Sequence, residues 1–447
     1  MRAKRIVALT LLLTLLTMVG CGKANKEICY PEQDVLWSAT DRVPNENGQI
    51  GNGGGDTGKV YDESVPAADG TYEVIKRTTV AATAAVPDGS YYKEPSASPG
   101  DGMWGTIEYP PYVTPEQIHA GMLTASEWRD NENFTAWVEK LTDNNWYKTA
   151  SDWSVLSKNR VKVTVKNEDA AVENVAVRLL DANGTVLWRG VTDNRGVAYL
   201  FYGLDGSVAE PTAVEIGETR VTLDGAQEVL VQVDVAHRAT GLDLMFMVDT
   251  TGSMGDELEF LKEELADVVS RIGEKSSLPV RTSVNFYRDE GDEYVVRYFR
   301  FEENVADSVE HIRAQVAHGG GDNPEAVHTA LDNAVTGHAW NKDSARVLVL
   351  VLDAPPHDES TVRESLAKTI AQAAEMGIRI IPVVSSGSDT LTEILCRSFA
   401  VMTGGSYVYL TDDSGYGAPH TEQHIDETPE VEPLNDLLVR IISSYCE

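Results

Sequence analysis

The stretch LDLMFMVDTTGSMGDELEFLKEEL, residues 242–265, sets an apolar run, an aspartate, two hydroxyls and a helical pattern in immediate succession. LDLMFMV has the near-continuous hydrophobicity of a strand buried on both faces. Beyond it, Leu258, Leu261, Leu265 and Val268-Val269 recur at helical spacing. At the junction stand Asp249, Thr251 and Ser253, spaced two apart. Catalysis, phosphate binding and metal binding are the chemistries open to such a set.

The same texture continues to the end of the chain. Strand patterns VRTSVNFY, YVVRYFRF, ARVLVLVLD, IRIIPVVS and SYVYL alternate with amphipathic helical patterns. The helical patterns are VADSVEHIRAQVAHGGG, PEAVHTALDNAVTG, TVRESLAKTIAQAAEMG, LTEILCRSFAVMTGG and PLNDLLVRIISSYC. Apolar strands between amphipathic helices predict an α/β domain over residues 241–447, with a doubly wound, mostly parallel sheet of the Rossmann-like kind. Ligands of such sheets bind outside the carboxyl ends of the strands. Three polar groups fall at that edge: Asp249-x-Thr251-x-Ser253, the GGGDNPE segment 319–325, and Asp353 at the end of LVLVLD. Carboxylates and hydroxyls without His or Cys form a hard-oxygen set suited to Mg²⁺, Mn²⁺ or Ca²⁺.

Other chemistries lack parts. A phosphate-binding loop needs a lysine after its glycines, and residues 249–256 contain none. A haloacid-dehalogenase-like phosphotransferase needs a second aspartate where Thr251 stands, and a G-x-S-x-G hydrolase elbow around Ser253 needs glycine there. The plain structural alternative has Asp249 capping the helix and Ser253 satisfying turn backbone.

Residues 242 to about 415 resemble a von Willebrand factor type A domain, whose D-x-[ST]-x-S motif, the metal-ion-dependent adhesion site, is similar to VDTTGSM. The resemblance implies Thr251 and Ser253 as hydroxyl ligands of a divalent cation, with Asp249 and Asp353 acting through coordinated water. A middle-loop threonine often completes the site in that family; GGGDNPEA stands here instead, and Asp322 is assigned that role. Mg²⁺ is the first expectation, Mn²⁺ and Ca²⁺ the alternatives. The implied function is binding rather than catalysis, with a protein partner supplying a carboxylate to the cation. A metal-assisted hydrolase and a structural envelope-assembly subunit are the competing readings. His357, the pair His420 and His424, and the acidic YRDEGDE (287–293) lie near this edge and read as solvated loop residues, since HTEQH lacks the H-E-x-x-H order of a zinc site.

The rest of the 447 residues needs further domains. Residues 159–238 alternate in short runs separated by turns at Gly184 and Gly196, predicting an all-β sandwich module. It is similar to carboxypeptidase-regulatory and immunoglobulin-like modules, which implies a spacer or binding module. Residues 113–158 read as a helical segment, opening at Thr114-Pro115-Glu116 and carrying Ile118, Met122, Leu123, Trp128, Phe134, Trp137, Val138 and Leu141. Residues 21–112 are rich in Gly, Pro, Ser and Asp and read as a flexible tether. An aspartic-protease-like Asp56-Thr57-Gly58 lies within a glycine tract there and is set aside.

Residues 1–20 have a basic start and a short apolar run ending at Gly20-Cys21. Met18-Val19-Gly20-Cys21 resembles a bacterial lipobox, which implies an exported protein held at the cell envelope by lipid on Cys21. An ordinary secretory peptide is the alternative. With 70 acidic against 37 basic residues, the net charge of −33 argues against nucleic-acid binding. Export allows a disulfide. Pairing Cys396 with Cys446 would close a loop of roughly 50 residues and stabilise by about 4 kcal/mol; two free thiols are the alternative, and Cys29 is left over.

Overall fold

The computed structural model describes residues 117–425 and 429–447, together with two strands further upstream. Contacts divide the chain into Met1–Gly105 and Thr106–Glu447. In the first unit, β1 (Val60–Pro66) pairs antiparallel with β2 (Tyr72–Thr78), from Val60 opposite Thr78 to Pro66 opposite Tyr72. The expected tether therefore contains a hairpin. The leader, Cys21, Cys29, the Asp56-Thr57-Gly58 tripeptide and the helix start at Thr114 lie outside the described residues.

The second unit opens with β3 (Thr124–Trp128), α1 (Phe134–Lys140) and α2 (Asn144–Asp152). Eight short strands follow: β4 (Arg160–Asn167), β5 (Ala170–Ala171), β6 (Ala176–Leu180), β7 (Val186–Val191), β8 (Val197–Phe201), β9 (Ala213–Ile216), β10 (Thr219–Thr222) and β11 (Glu228–Gln232). The α/β part then runs β12 (Gly241–Asp249), α3 (Leu258–Lys275), β13 (Val280–Tyr287), β14 (Val296–Arg297), α4 (Val305–Arg313) and α5 (Val327–Thr336). It ends with β15 (Ser344–Leu352), α6 (Ser360–Met376), β16 (Ile378–Val384), α7 (Thr390–Thr403), β17 (Tyr407–Thr411), β18 (Val431–Pro433) and α8 (Leu434–Ser444).

One eight-stranded sheet has the order β14-β13-β12-β15-β16-β17-β3-β18. Its five inner strands from β13 to β17 are parallel, and β14, β3 and β18 join antiparallel. The two-residue alternation of a strand sends successive side chains to opposite faces. Leu244, Phe246 and Val248 accordingly pack with Leu261 of α3 and Leu437 of α8. Met245 and Met247 pack on the other face with Leu331 of α5, Leu366 of α6 and Phe399 of α7. This is the doubly wound α/β fold, preceded in the chain by two four-stranded sheets, β10-β9-β6-β7 and β11-β4-β5 with β8 on β4.

Three expectations are corrected. Residues 124–128 form a strand between β17 and β18, not part of a helical segment. The cause is remote: the backbone of 124–128 pairs with Tyr407–Thr411 on one side and Val431–Pro433 on the other, and the buried Glu264 carboxylate on α3 anchors the entry to the strand by accepting the backbone N–H groups of Gly121, Met122 and Leu123 at 2.8–2.9 Å. YVVRYFRF yields only the short β14, because the side chains of Asn285 and Ser283 take the Phe299 N–H and C=O. The Cys396–Cys446 disulfide is not formed. Cys396 is buried in the core beneath α7, whereas Cys446 packs against the core on the opposite face of the sheet, beyond the reach of an S–S bond.

The sandwich is no free spacer. It shares a continuous core with α6 and α7 and meets the amino ends of the parallel strands. Arg379, at the start of β16, donates to Val191 O at 2.6 Å and to Thr403 O at 2.7 Å. Arg346 of β15 donates to Asn174 Oδ1 at 2.8 Å. Nearby, Arg397 of α7 lies buried under Trp137 and Trp146 and pairs with Asp130 at 2.6 Å and Glu393 at 3.0 Å. Arg397→Met leaves both carboxylates buried without their cation, and a loss of about 3–5 kcal/mol is expected. Urea denaturation with an unchanged m-value is the check; a loss under 1 kcal/mol contradicts the account.

Candidate functional site

β12 lies mid-sheet, with the next strand in sequence, β13, on one side and β15 on the other. The strand order reverses there, which opens a crevice at the carboxyl ends. Asp249 is the last residue of β12 and is fully buried. Its Oδ1 accepts from Thr251 N at 2.8 Å and Thr251 Oγ1 at 2.7 Å. The Thr251 hydroxyl is in turn 3.1 Å from Ser253 Oγ. A tight turn over Gly252–Asp256 keeps these hydroxyls ahead of α3, and the Ser253 hydroxyl lies beside Asp353, just past β15. The structure thus brings together Asp249, Thr251, Ser253 and Asp353.

It does not bring in Asp322, which is exposed at the tip of the middle loop. The carboxylate facing the cluster is Glu325, only 2 % exposed. Its backbone N–H donates to Pro355 O at 2.9 Å and it bridges to Pro356, so the chain is drawn against the Asp353 loop at 325 rather than 322. Glu325 stood within the GGGDNPE segment, three residues from the one chosen. Ahead of it, Gly319 (φ +86°) and Gly320 (φ +67°) let the loop close on the first motif, with Gly252 N–H on Gly319 O at 3.0 Å. A Cβ on Gly319 would lie 2.4 Å from an Asp292 carboxylate oxygen. Arg288, buried and stacked on Tyr294, holds both loops through Thr250 O at 3.2 Å and Val316 O at 3.0 Å. Inside an acidic run, nothing in the sequence marked that role.

Asp249 Oδ2, Glu325 Oε2 and Asp353 Oδ1 are buried without a hydrogen-bond partner. Burial, then the charge of Asp353, pushes Asp249 up to about 7. Burial, with Glu257 and Asp256 behind it and Ser253 opposing, pushes Asp353 up to about 6. Glu325 rises to about 9 through burial and the charges of Asp249, Asp289 and Asp353. Unpartnered anionic oxygens that repel one another fit a divalent cation of the hard class. Among the described residues no three His, Cys, Asp or Glu side chains are arranged to hold a metal by themselves.

The three histidines noted in the sequence near this edge are engaged. His357 Nε2 meets Asp289 Oδ1 at 2.7 Å. His420 sits between Glu257 and Asp412, 2.8 Å from each, and His424 meets Glu393 at 2.7 Å. The latter two bind separate acids and tie down the loop after β17.

A family model, the von Willebrand factor A domain, matches residues 243–413. An ariadne-like RING finger protein of Acanthamoeba polyphaga mimivirus is 33% identical over 129 residues, 29% of this chain and 12% of that protein. The alpha-protein kinase vwkA of Dictyostelium discoideum is 28% identical over 156 residues, 34% of this chain and 23% of that protein. The alignments thus span less than a quarter of either relative. Among solved structures, the conserved hypothetical protein BatB from Bacteroides thetaiotaomicron is 13% identical, with a TM-score of 0.34, over 46% of this chain and 98% of that one. The SpRpn10 VWA domain is 11% identical, with a TM-score of 0.32, over 44% and 93%. The family match falls on the strands that carry the crevice and its acids, and residues 243–413 are a von Willebrand factor A domain.

Proposed function

We propose that this chain is an exported, lipid-anchored protein that binds a protein partner through a divalent cation at the carboxyl edge of its sheet. The three unpartnered, buried carboxylate oxygens carry the reading. Thr251 and Ser253 would hold the cation through hydroxyls, with Asp249 and Asp353 behind them; Mg²⁺ is the first choice, Mn²⁺ or Ca²⁺ the alternatives. A bound cation supplies an open coordination position to an oxygen of the partner. The family resemblance expects that oxygen to be a carboxylate. The chain's residues orient the ion and keep water from the inner carboxylates.

Anchoring rests on the lipobox at Cys21; no helix among the described residues is long and apolar enough to cross a membrane. One observation favours a metal-assisted hydrolase as second reading: His357 and Asp289 form a close pair at the rim, and such a pair can accept a proton from a water. Metal-dependent turnover of peptide, ester or phosphate substrates, lost in His357→Ala, would establish it.

Mg²⁺ or Mn²⁺ titration should raise the melting temperature, by mass action on the order of 2.7 kcal/mol at a hundredfold excess over Kd. Asp353→Ala and Ser253→Ala should remove the response while far-ultraviolet circular dichroism stays native. No response to Mg²⁺, Mn²⁺ or Ca²⁺ eliminates the cation.

Without metal, stability should fall as pH rises. The folded carboxyls of Asp249 and Glu325 keep their protons to about 7 and about 9, whereas the unfolded ones release them in the ordinary carboxylate range. The folded state binds more protons in that window, so its advantage is complete at low pH and lost through the folded values. Chelated protein should melt at a higher temperature at pH 5 than at pH 8, and Asp249→Asn should flatten the slope. An opposite slope removes the electrostatic account.

Cys21→Ser should move the protein from the membrane fraction to the soluble envelope or medium. Unchanged retention excludes the lipid anchor.

A further inference from the structure

A cavity of about 370 Å³ opens where the sandwich meets the α/β part, at the end of the sheet away from the crevice. Small-molecule pockets span roughly 300–1,000 Å³. Arg129, Arg195 and Arg238 line this one, with the rings of Tyr199 and Tyr445 beside them. Its lining carboxylates are Glu132 and Glu447. In a chain with 70 acidic and 37 basic residues, three arginines around one cavity run against the overall charge.

A fourth guanidinium lies under the floor. Arg379 is 8 % exposed, donates only to the carbonyls of Thr403 and Val191, and forms no ion pair among the described residues. Gly404 covers it with φ +74°, and a Cβ there would lie 3.0 Å from Arg379 Nη1. A buried cation without a counter-charge is unfavourable. An anion in the cavity would offset that cost across a residue with no side chain.

The arrangement of the lining arginines shows where such an anion fits. Arg195 sets Nε and Nη2 on Asp193 Oδ2 at 3.0 and 2.9 Å, and Arg129 sets Nε on Glu127 at 2.5 Å. The Nη1 atoms of both are thereby turned to Glu132, whose Oε1 lies between them at 3.2 and 3.3 Å. A close charge-assisted bond measures roughly 2.7–2.9 Å, so the exposed Glu132 holds that place loosely. Arg238 is exposed, donates Nη1 to Asn194 O at 2.8 Å and forms no ion pair among the described residues. Helix ends do not account for these three side chains. The carbonyls of Thr403, Gly404 and Ser444 are taken by Arg379, the Tyr445 hydroxyl and Asn194.

We infer that this seam cavity is a second ligand site, for a small organic molecule bearing a carboxylate or phosphate group. Its anionic oxygens take the place of Glu132 between Arg129 and Arg195 and meet Arg238, while its body lies against Tyr199 and Tyr445. The inference is independent of the cation reading.

The test is calorimetric titration of the folded full chain at low salt with benzoate, phenyl phosphate and the uncharged benzamide. At least one anion should bind at least roughly tenfold tighter than benzamide, and its affinity should fall with added salt. The tighter anion assigns the group. Arg238→Gln should weaken that anion roughly threefold, whereas Arg220→Gln, which removes the same charge from the exposed strand β10, should not. Glu132→Ala should tighten it, because the place between the two guanidinium groups is vacated. Asp249→Asn, at the crevice, should leave it unchanged. Benzamide binding as tightly as both anions, equal effects of Arg238→Gln and Arg220→Gln, or loss of binding in Asp249→Asn overturns the inference. So does a Glu132→Ala variant that binds no tighter than wild type, or the absence of any response to either anion.

Discussion

Asp249 is a carboxylate held out of water at the end of the central strand, and much of the unit is arranged around that burial. Its Oδ1 is satisfied locally by Thr251, and its Oδ2 is left without a partner beside Asp353 and Glu325. A buried charge without a counter-ion is unfavourable, so the acids shift toward their neutral forms and repel one another when ionised. The sheet keeps them together because the hydrophobic packing on both its faces is far larger than the local strain. Leu244 to Val248 alone place side chains into two separate cores. Apolar burial spread over the domain outweighs a small set of unfavourable polar groups.

The sandwich and the crevice occupy opposite ends of the parallel strands. Arg346 and Arg379, near the amino ends of β15 and β16, reach into the sandwich, while Asp249 and Asp353 leave the carboxyl ends of β12 and β15. Continuous apolar packing through Trp137, Trp146 and Phe399 joins the sandwich to α7. That helix lies on the face carrying Met245 and Met247.

The strands β12 and β13, the five long helical patterns and the crevice at the end of β12 were legible in sequence, because a buried parallel strand and an amphipathic helix each write a local hydrophobic period. Asp249, Thr251, Ser253 and Asp353 were legible too, since their place follows from where strands end. Trp128 and Glu325 were not. β3 carries an apolar spacing that also fits a helix, and the choice was made by its pairing with β17 and β18, where Thr124 meets Thr411, 287 residues away. The middle-loop acid was decided by the backbone bond from Glu325 to Pro355, a contact that no spacing rule contains.

What the sequence by itself determined was the class of fold and the sheet edge at which Asp249, Thr251, Ser253 and Asp353 gather. Each follows from local periods and from the residues at strand ends. The tertiary structure alone decided which acid joins the cluster, that Cys396 and Cys446 stay apart, and that residues 124–128 extend the sheet. Those outcomes depend on which atoms meet across long separations, on the face of the sheet each helix covers, and on the hydrogen-bond partners that burial leaves available.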